Sequence, residues 1–235
     1  MLALVTGSAR GLGKAMIEYL AQQGYEVIIH YAQSYQEARA LKEKLQTEGK
    51  KAHCIQADLS QPAQVQAMFH CIKNEIGELD VLVNNVGNYL KKNIQEISPT
   101  EWQSIINTNL HSTFYCCREA IQVMKSKKRG KIVNIGFSMV GQFTAQPNIT
   151  PYLIAKTGVW LLTKALAKEL APYNVQVNML SPGVLENSLS QPLHEIPSGR
   201  VGTFAEFNHA LNFLLSPQSN YITGTHLEVA GGWRL

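Results

Sequence analysis

No apolar run in this 235-residue chain approaches the ~18 residues that a membrane span requires, so no membrane-crossing helix is expected. The four cysteines, Cys54, Cys71, Cys116 and Cys117, show neither CxxC nor metal-ligand spacing. They read as reduced thiols, not as a redox motif or a disulfide framework. An HExxH motif and any Cys/His cluster are also missing, so no metal is expected. Internal repeats, low-complexity tracts and linkers are absent, and one domain over residues 1–235 is expected. The first strand is read from residue 2, which leaves no room for a secretory leader and points to a cytoplasmic protein. Charge is sparse, at 16% of residues with a net +4. Much of the basic excess lies in Lys125, Lys127, Lys128, Arg129 and Lys131. That run reads first as a solvated helix end and second as a dock for an acidic partner. Without interleaved aromatics it does not read as a nucleic-acid surface.

What is present begins at once. The apolar strand Leu2-Ala3-Leu4-Val5 runs into Thr6-Gly7-Ser8-Ala9-Arg10-Gly11-Leu12-Gly13, and a helical stretch follows. Gly7 permits a tight turn, while Gly11 and Gly13 let backbone approach a pyrophosphate and let helix pack on strand. The helix N-terminus offers unpaired N–H groups to phosphate.

Short β-rich runs near 2–6, 25–31, 51–56, 80–84, 130–136, 174–180 and 225–229 alternate with helical patterns near 11–23, 35–48, 61–76, 99–127, 152–171 and 204–215. With no hairpin signal, this order predicts an α/β fold: a doubly wound parallel sheet of about seven strands with helices on both faces. Capping boxes are expected at Ser34/Glu37 and Thr203/Glu206, and a capped start with proline at Ser98-Pro99-Thr100-Glu101. The long irregular stretch from Gly183 to Gly202 is the natural ligand loop.

The second strand should end beside a nucleotide ribose. There the chain reads His30-Tyr31-Ala32-Gln33-Ser34, with no carboxylate to repel a 2′-phosphate. Arg10 and the helix start at Ser34 favour an anion, so NADP(H) is expected over NAD(H), with Tyr31 and Ser34 in its site. Asp58-Leu59 follows the third strand, and its carboxylate either accepts from adenine or serves as a turn or cap residue. In Asn84-Asn85-Val86-Gly87, the asparagines can tie strands together and Gly87 allows close approach to a ribose.

Tyr152 and Lys156 stand four residues apart in a helix, hence on one face. A free phenol has a pKa of ~10. A neighbouring ammonium and an oxidised nicotinamide would lower it, letting Tyr152 act as acid toward a carbonyl oxygen and as base in reverse.

Taken in order, the Thr6–Gly13 turn, Asp58, Asn84–Gly87, Asn109, Ser138, Tyr152/Lys156 and Ser181-Pro182-Gly183 resemble the short-chain dehydrogenase/reductase family over essentially the whole chain. The resemblance implies a Rossmann-like, NAD(P)-dependent oxidoreductase, often tetrameric. It implies that Ser138 holds the substrate carbonyl, and that Lys156 also binds the nicotinamide ribose. By the same likeness Asn109 holds a relay water, Thr6 braces the glycine turn, and the backbone at Pro182, Gly183 and Val184 meets the carboxamide. Val86, Pro151, Asn187 and one extra residue around Phe137-Ser138 depart from the family's usual pattern.

Within the family the pattern is most similar to 3-oxoacyl-carrier-protein reductases, including Ile196-Pro197-Ser198-Gly199-Arg200. This implies a small-molecule or thioester carbonyl substrate and an acidic carrier that the basic run would meet. Pteridine reductases are the alternative enzyme reading, and a catalytically lapsed regulatory protein is the alternative class. The helical stretches 99–127 and 152–171 carry more apolar residues than one sheet-facing stripe needs, which points to a homotetramer.

Overall fold

The computed structural model describes residues 1–142, 145–188 and 190–233. Seven parallel strands, β1 (Leu2–Val5), β2 (Glu26–Tyr31), β3 (Ala52–Gln56), β4 (Val81–Asn84), β5 (Gly130–Ile135), β6 (Val175–Pro182) and β7 (His226–Val229), form one sheet in the order β3-β2-β1-β4-β5-β6-β7. The order reverses direction between β1 and β4. At such a switch point the connections leave toward opposite faces and open a crevice at the carboxyl ends of the strands.

Both sheet faces are covered, which explains the near-continuous apolar strands. Ala3 and Val5 face α1 (Gly11–Gln22), α2 (Tyr35–Thr47) and α7 (Phe204–Leu215), through Met16, Ile17, Leu41 and Phe207. Leu2 and Leu4 face α3 (Pro62–Cys71), α5 (Ser112–Lys127) and α6 (Thr150–Leu170), through Val65, Phe69, Cys116 and Leu170. The capping boxes at Ser98/Glu101 and Thr203/Glu206 are both formed. The one expected at Ser34/Glu37 is not. Ser34, at ψ 56, falls outside the extended geometry that aims an N-cap oxygen, and its side chain makes no cap bond.

The stretch read as one helix over 99–127 is α4 (Pro99–Ile106) and α5 joined by a π-helical turn, Asn107–His111. Such turns arise where an inserted residue is kept for a functional placement. A second π-turn, Ile72–Ile76, ends the helix read over 61–76. The Gly183–Gly202 loop, of which Leu189 lies outside the described residues, packs Val184 and Ile196 against Trp233 near the chain's end. No helix among the described residues is long and apolar enough to cross a membrane.

The basic run is not free. Asp80, just before β4, accepts from the Leu2 backbone N–H at 2.9 Å, Lys127 Nζ at 2.7 Å and Arg129 Nη2 at 2.8 Å. Lys125 lies 3.8 Å from Glu169 and over the Tyr173 ring, and Lys131 Nζ donates to the Ser216 carbonyl at 3.1 Å. Lys128 and Arg129 stay exposed, so the solvated helix end is there in part, while Lys127 and Lys131 are turned into the structure. Lys127 and Arg129 join the end of α5 to the start of β4. On the outer faces of α5 and α6, Phe114, Ile154 and Leu161 remain exposed.

Burial opposes ionisation of Asp80, but the Lys127, Leu2 and Arg129 hydrogen bonds outweigh it and hold the carboxyl below its usual range. Asp80→Asn should cost about 1–3 kcal/mol of unfolding free energy at pH 7. A depressed carboxyl pKa stabilises above the unfolded value of ~3.9 and loses that contribution as pH falls through the folded value. The gap between parent and variant in urea melts should therefore be constant above pH ~4 and close below it. A gap unchanged at pH 2–3 would contradict this account.

Candidate active site

The crevice between β1 and β4 is tied by Thr6, whose Oγ1 accepts from the Asn85 and Val86 backbone N–H groups at 2.8 and 3.1 Å. Asn85 Nδ2 returns a bond to the Thr6 carbonyl at 3.0 Å. One position earlier, Asn84 Nδ2 reaches Asn134 Oδ1 at 2.8 Å, and Asn134 Nδ2 reaches Thr163 Oγ1 at 2.9 Å. Buried amides thus stitch β4 to β5 and to α6, as the strand-clamp reading of Asn84 expects.

The glycine turn follows. Gly7 and Gly11 adopt φ values of +63° and +56°, open to glycine at little cost. A Cβ on Gly13 would run into the Gly7 carbonyl oxygen, so α1 reaches the strand end only with hydrogen there. Arg10 is the extended N-cap residue of α1, and no acidic residue occupies that helix's first turn. Beside the turn lies a cleft of about 780 Å³ lined by Arg10, Tyr31, Ser34, Asp58, Leu59 and Gly87, among others. Its scale suits the adenosine half of a dinucleotide. A bare glycine cradle, an acid-free helix N-terminus and a cleft at the switch point together fit an NADP(H)-type group, held by Thr6 to Gly13 on its phosphates.

Asp58 is a turn residue in this arrangement. Its Oδ1 accepts from the Ser60 N–H and Oγ at 2.9 and 2.8 Å, and Gln61, not Asp58, precedes α3. The segment from His30 to Ser34 brings no carboxylate to the cleft. Glu37, one turn into α2, sits 3.8 Å from the exposed Arg10 guanidinium. Sequence reading did not single out His30 for a role. Its Nδ1 accepts from the Gly7 N–H at 2.9 Å, and its Nε2 lies 3.0 Å from the Ala57 carbonyl.

The second half of the site collects at the carboxyl ends of β4, β5 and β6. Asn109, fully buried in the π-turn, donates from Nδ2 to the Asn88 carbonyl at 2.9 Å and the Ile105 carbonyl at 3.0 Å. Its Oδ1 has no partner among the described residues and faces Gly87, where a Cβ would strike it and would also lie 3.4 Å from Lys156 Nζ. Ser138 is fully buried and its Oγ likewise has no partner among the described residues. Buried polar atoms left open are costly, and they mark places where a ligand or water completes the bonding. Beyond Ser138, Met139 sits at φ +90°, a strained value for a non-glycine residue.

Tyr152 lies in the first turn of α6, which starts at Thr150 with Pro151 tolerated before the first intrahelical N–H is needed. The Tyr152 ring meets Tyr89 edge to face at 5.1 Å and Phe137 at 5.6 Å, and Phe137 meets Trp233 at 6.3 Å. Lys156 Nζ donates to the Ile135 carbonyl at 2.8 Å and lies 5.7 Å from the Tyr152 ring centre. Burial pushes Lys156 down to about 8. Burial, with a smaller push from Tyr89, raises the Tyr152 phenol well above its ordinary value. The expectation that Lys156 lowers the phenol is corrected for the protein alone: the ammonium turns to a carbonyl and desolvation dominates. Pro182, Gly183 and Val184 close the far side. The Gly183 N–H donates to the Val229 carbonyl at 2.9 Å, and a Cβ there would meet Ala230 at 2.7 Å. Asn187 leans over the glycine turn, its Nδ2 3.6 Å from where a Gly11 Cβ would stand.

A family model described as short chain dehydrogenase matches residues 1–196. The chain is 35% identical over 239 residues to a 3-oxoacyl-[acyl-carrier-protein] reductase of Staphylococcus aureus, covering 98% of this chain and 96% of that protein. It is 36% identical over 242 residues to the Escherichia coli protein of the same name, covering 98% and 96%. Among solved structures it is similar to a putative gluconate dehydrogenase from Agrobacterium tumefaciens, with a TM-score of 0.93, 32% identity and coverage of 99% and 95%. It is also similar to a gluconate 5-dehydrogenase from Burkholderia cenocepacia in complex with NADP and tartrate, with a TM-score of 0.92, 31% identity and coverage of 99% and 94%.

Gly13→Ala should weaken NADPH binding by tenfold or more, about 1.4 kcal/mol, with the fold retained. Titration by nucleotide fluorescence checks this. A parent-like Kd would show that the turn tolerates the methyl and does not form the phosphate cradle.

Proposed function

This chain belongs to the short-chain dehydrogenase family, and we propose that it is an NADP(H)-dependent ketone reductase in which one domain, residues 1–235, carries both cofactor and chemistry. The observation that carries the reading is the convergence of Tyr152, Lys156, Asn109 and Ser138, two of them with open buried oxygens, beside a bare glycine cradle. Bound NADPH supplies the hydride, and the remaining tasks fall to the chain. Ser138 Oγ holds the substrate carbonyl. The Tyr152 phenol, kept protonated by burial, gives its proton to the carbonyl oxygen as the alcohol forms. Lys156 remains roughly nine-tenths charged at pH 7 with a pKa of about 8; it binds the nicotinamide ribose and returns a proton to Tyr152. Asn109 Oδ1 holds the water that refills Lys156. Val184 follows Pro182-Gly183 at the carboxamide, Tyr31 and Ser34 line the ribose, and Asp58, its Oδ1 taken by the Ser60 turn, borders the adenine end of the cleft.

NADP(H) is preferred over NAD(H) in this reading because Arg10 faces the cleft and positions 30–34 bring no acid to it. NADPH should bind about tenfold or more tightly than NADH, and Arg10→Ala should reduce the ratio to within about threefold of unity. Fluorescence titration of both nucleotides measures this, and tighter NADH binding by the parent would reverse the assignment.

For the substrate, whole-length similarity to the Staphylococcus and Escherichia proteins supports a 3-oxoacyl thioester. On the run 125–131 a carrier would meet chiefly Lys128 and Arg129, since Lys125 and Lys127 pair with Glu169 and Asp80. A second reading, a small ring carbonyl such as a pteridine, is favoured by the aromatic wall of Tyr89, Phe137 and Trp233 around Tyr152. The oligomer in this reading is a cytoplasmic homotetramer that covers Phe114, Ile154 and Leu161. NADPH oxidation with acetoacetyl-CoA should exceed that with dihydrobiopterin at least tenfold in kcat/KM, and Tyr152→Phe should lose about 10²–10⁴-fold with NADPH affinity kept. The reverse ranking selects the ring substrate. Activity within threefold of the parent would remove Tyr152 from the chemistry.

A further inference from the structure

The mechanism leaves one buried titratable side chain at the site without a task. His30, near the end of β2, is 1% exposed and joins the ends of three strands. Its Nδ1 is 2.9 Å from the Gly7 amide nitrogen. That amide can only donate, so Nδ1 carries no proton, and the ring proton lies on Nε2. Nε2–H then donates to the Ala57 carbonyl at 3.0 Å, and Ala57 immediately precedes Asp58 at the adenine side of the cleft. The His30 backbone repeats the link: its N–H donates to Ser8 Oγ at 3.1 Å, and its carbonyl accepts from the Ser8 N–H at 3.0 Å. Four bonds therefore run between one residue and the two walls that a dinucleotide must bridge. Burial holds the imidazole at about 4, against the pull of the Ala57 carbonyl and of Asp58, so the ring is neutral at neutral pH and Nδ1 stays an acceptor.

We propose that His30 is a positioning residue for the dinucleotide: its Nδ1, left a bare acceptor because Nε2–H is given to the Ala57 carbonyl, holds the Gly7 N–H and so sets the phosphate-binding turn. This rests on the reading that the cleft takes NADP(H). The two ring nitrogens have separate tasks. The Nδ1 arm holds the entry of the glycine turn, where it takes the N–H of Gly7, a residue at φ +63°. The Nε2 arm fixes the ring's tautomer and orientation. Loss of the first should loosen the turn and weaken pyrophosphate binding, while the chemistry at Tyr152, on the far side of the site, proceeds once the nucleotide is bound.

The arms separate by substitution. An asparagine amide reaches about where Nδ1 stands and can accept from Gly7, whereas a glutamine amide reaches about where Nε2 stands and can serve only Ala57. His30→Asn should bind NADPH within about threefold of the parent, and His30→Gln at least tenfold more weakly. Both should keep kcat at saturating NADPH within about twofold, with whichever ketone the parent reduces. Adenosine 2′-monophosphate, which has no pyrophosphate to reach the turn, should bind all three proteins within about threefold. Independently of any variant, the Gly7 amide of the parent should exchange slowly with deuterium. Equal losses in the two variants, a loss in kcat instead of affinity, an equal loss for adenosine 2′-monophosphate, or fast exchange at Gly7 would each overturn the latch. A parent that fails to bind NADPH would overturn the cofactor reading and the latch together.

Discussion

Everything at the site depends on the joint between β1 and β4. Strand order reverses there, so no helix can cross the gap and the crevice stays open at the carboxyl edge. An open crevice between strand ends would be a loose one without cross-links. Thr6 supplies them by accepting two backbone N–H groups from the end of β4, and Asn85 answers with its amide. The glycine turn springs from the same residue, so its geometry is inherited from the joint. Asn84 and Asn134 extend the stitching to α6, the helix that carries Tyr152 and Lys156. The glycine turn and the Tyr152/Lys156 pair are thus held in one hydrogen-bonded frame rather than by packing alone.

That frame is dry, and the dryness sets the electrostatics. Tyr152 and Lys156 are both pushed toward their neutral forms by burial, the phenol up and the ammonium down to about 8. A phenol held protonated is ready to donate, which suits reduction of a carbonyl. A lysine poised near neutrality is ready to replace the lost proton. Desolvation, not attraction between the two, is the larger influence on each, because Lys156 spends its donor on the Ile135 carbonyl. The buried, partnerless oxygens of Asn109 and Ser138 belong to the same economy: each awaits a polar guest.

Charge at the surface follows a different logic. The basic run at 125–131 looks like a docking face when read as letters, yet Lys127 and Arg129 converge on Asp80 and fasten the start of β4 to the end of α5. The acid that neutralises them lies nearly fifty residues earlier in the chain. A carboxylate buried behind two cations and a backbone N–H holds the amino edge of the sheet, opposite to the edge that carries the site.

The sequence by itself determined the fold class, the seven strands and their approximate limits, because period, turn glycines and fully apolar strands are local properties that a doubly wound sheet imposes on each element separately. It also determined that Tyr152 and Lys156 lie together, since residues four apart on a helix share a face wherever that helix lies. Tertiary structure alone decided three things. It broke the 99–127 helix at a π-turn that aims Asn109 inward, a choice driven by packing on α6 and Gly87 and not by propensity. It turned Glu37 from the expected cap bond toward Arg10, because Ser34 leaves the backbone geometry that capping needs. And it made His30 part of the site, because Gly7, His30 and Ala57 meet only when β1, β2 and β3 lie side by side, a juxtaposition that hydrogen bonding between distant strands creates and no local pattern encodes.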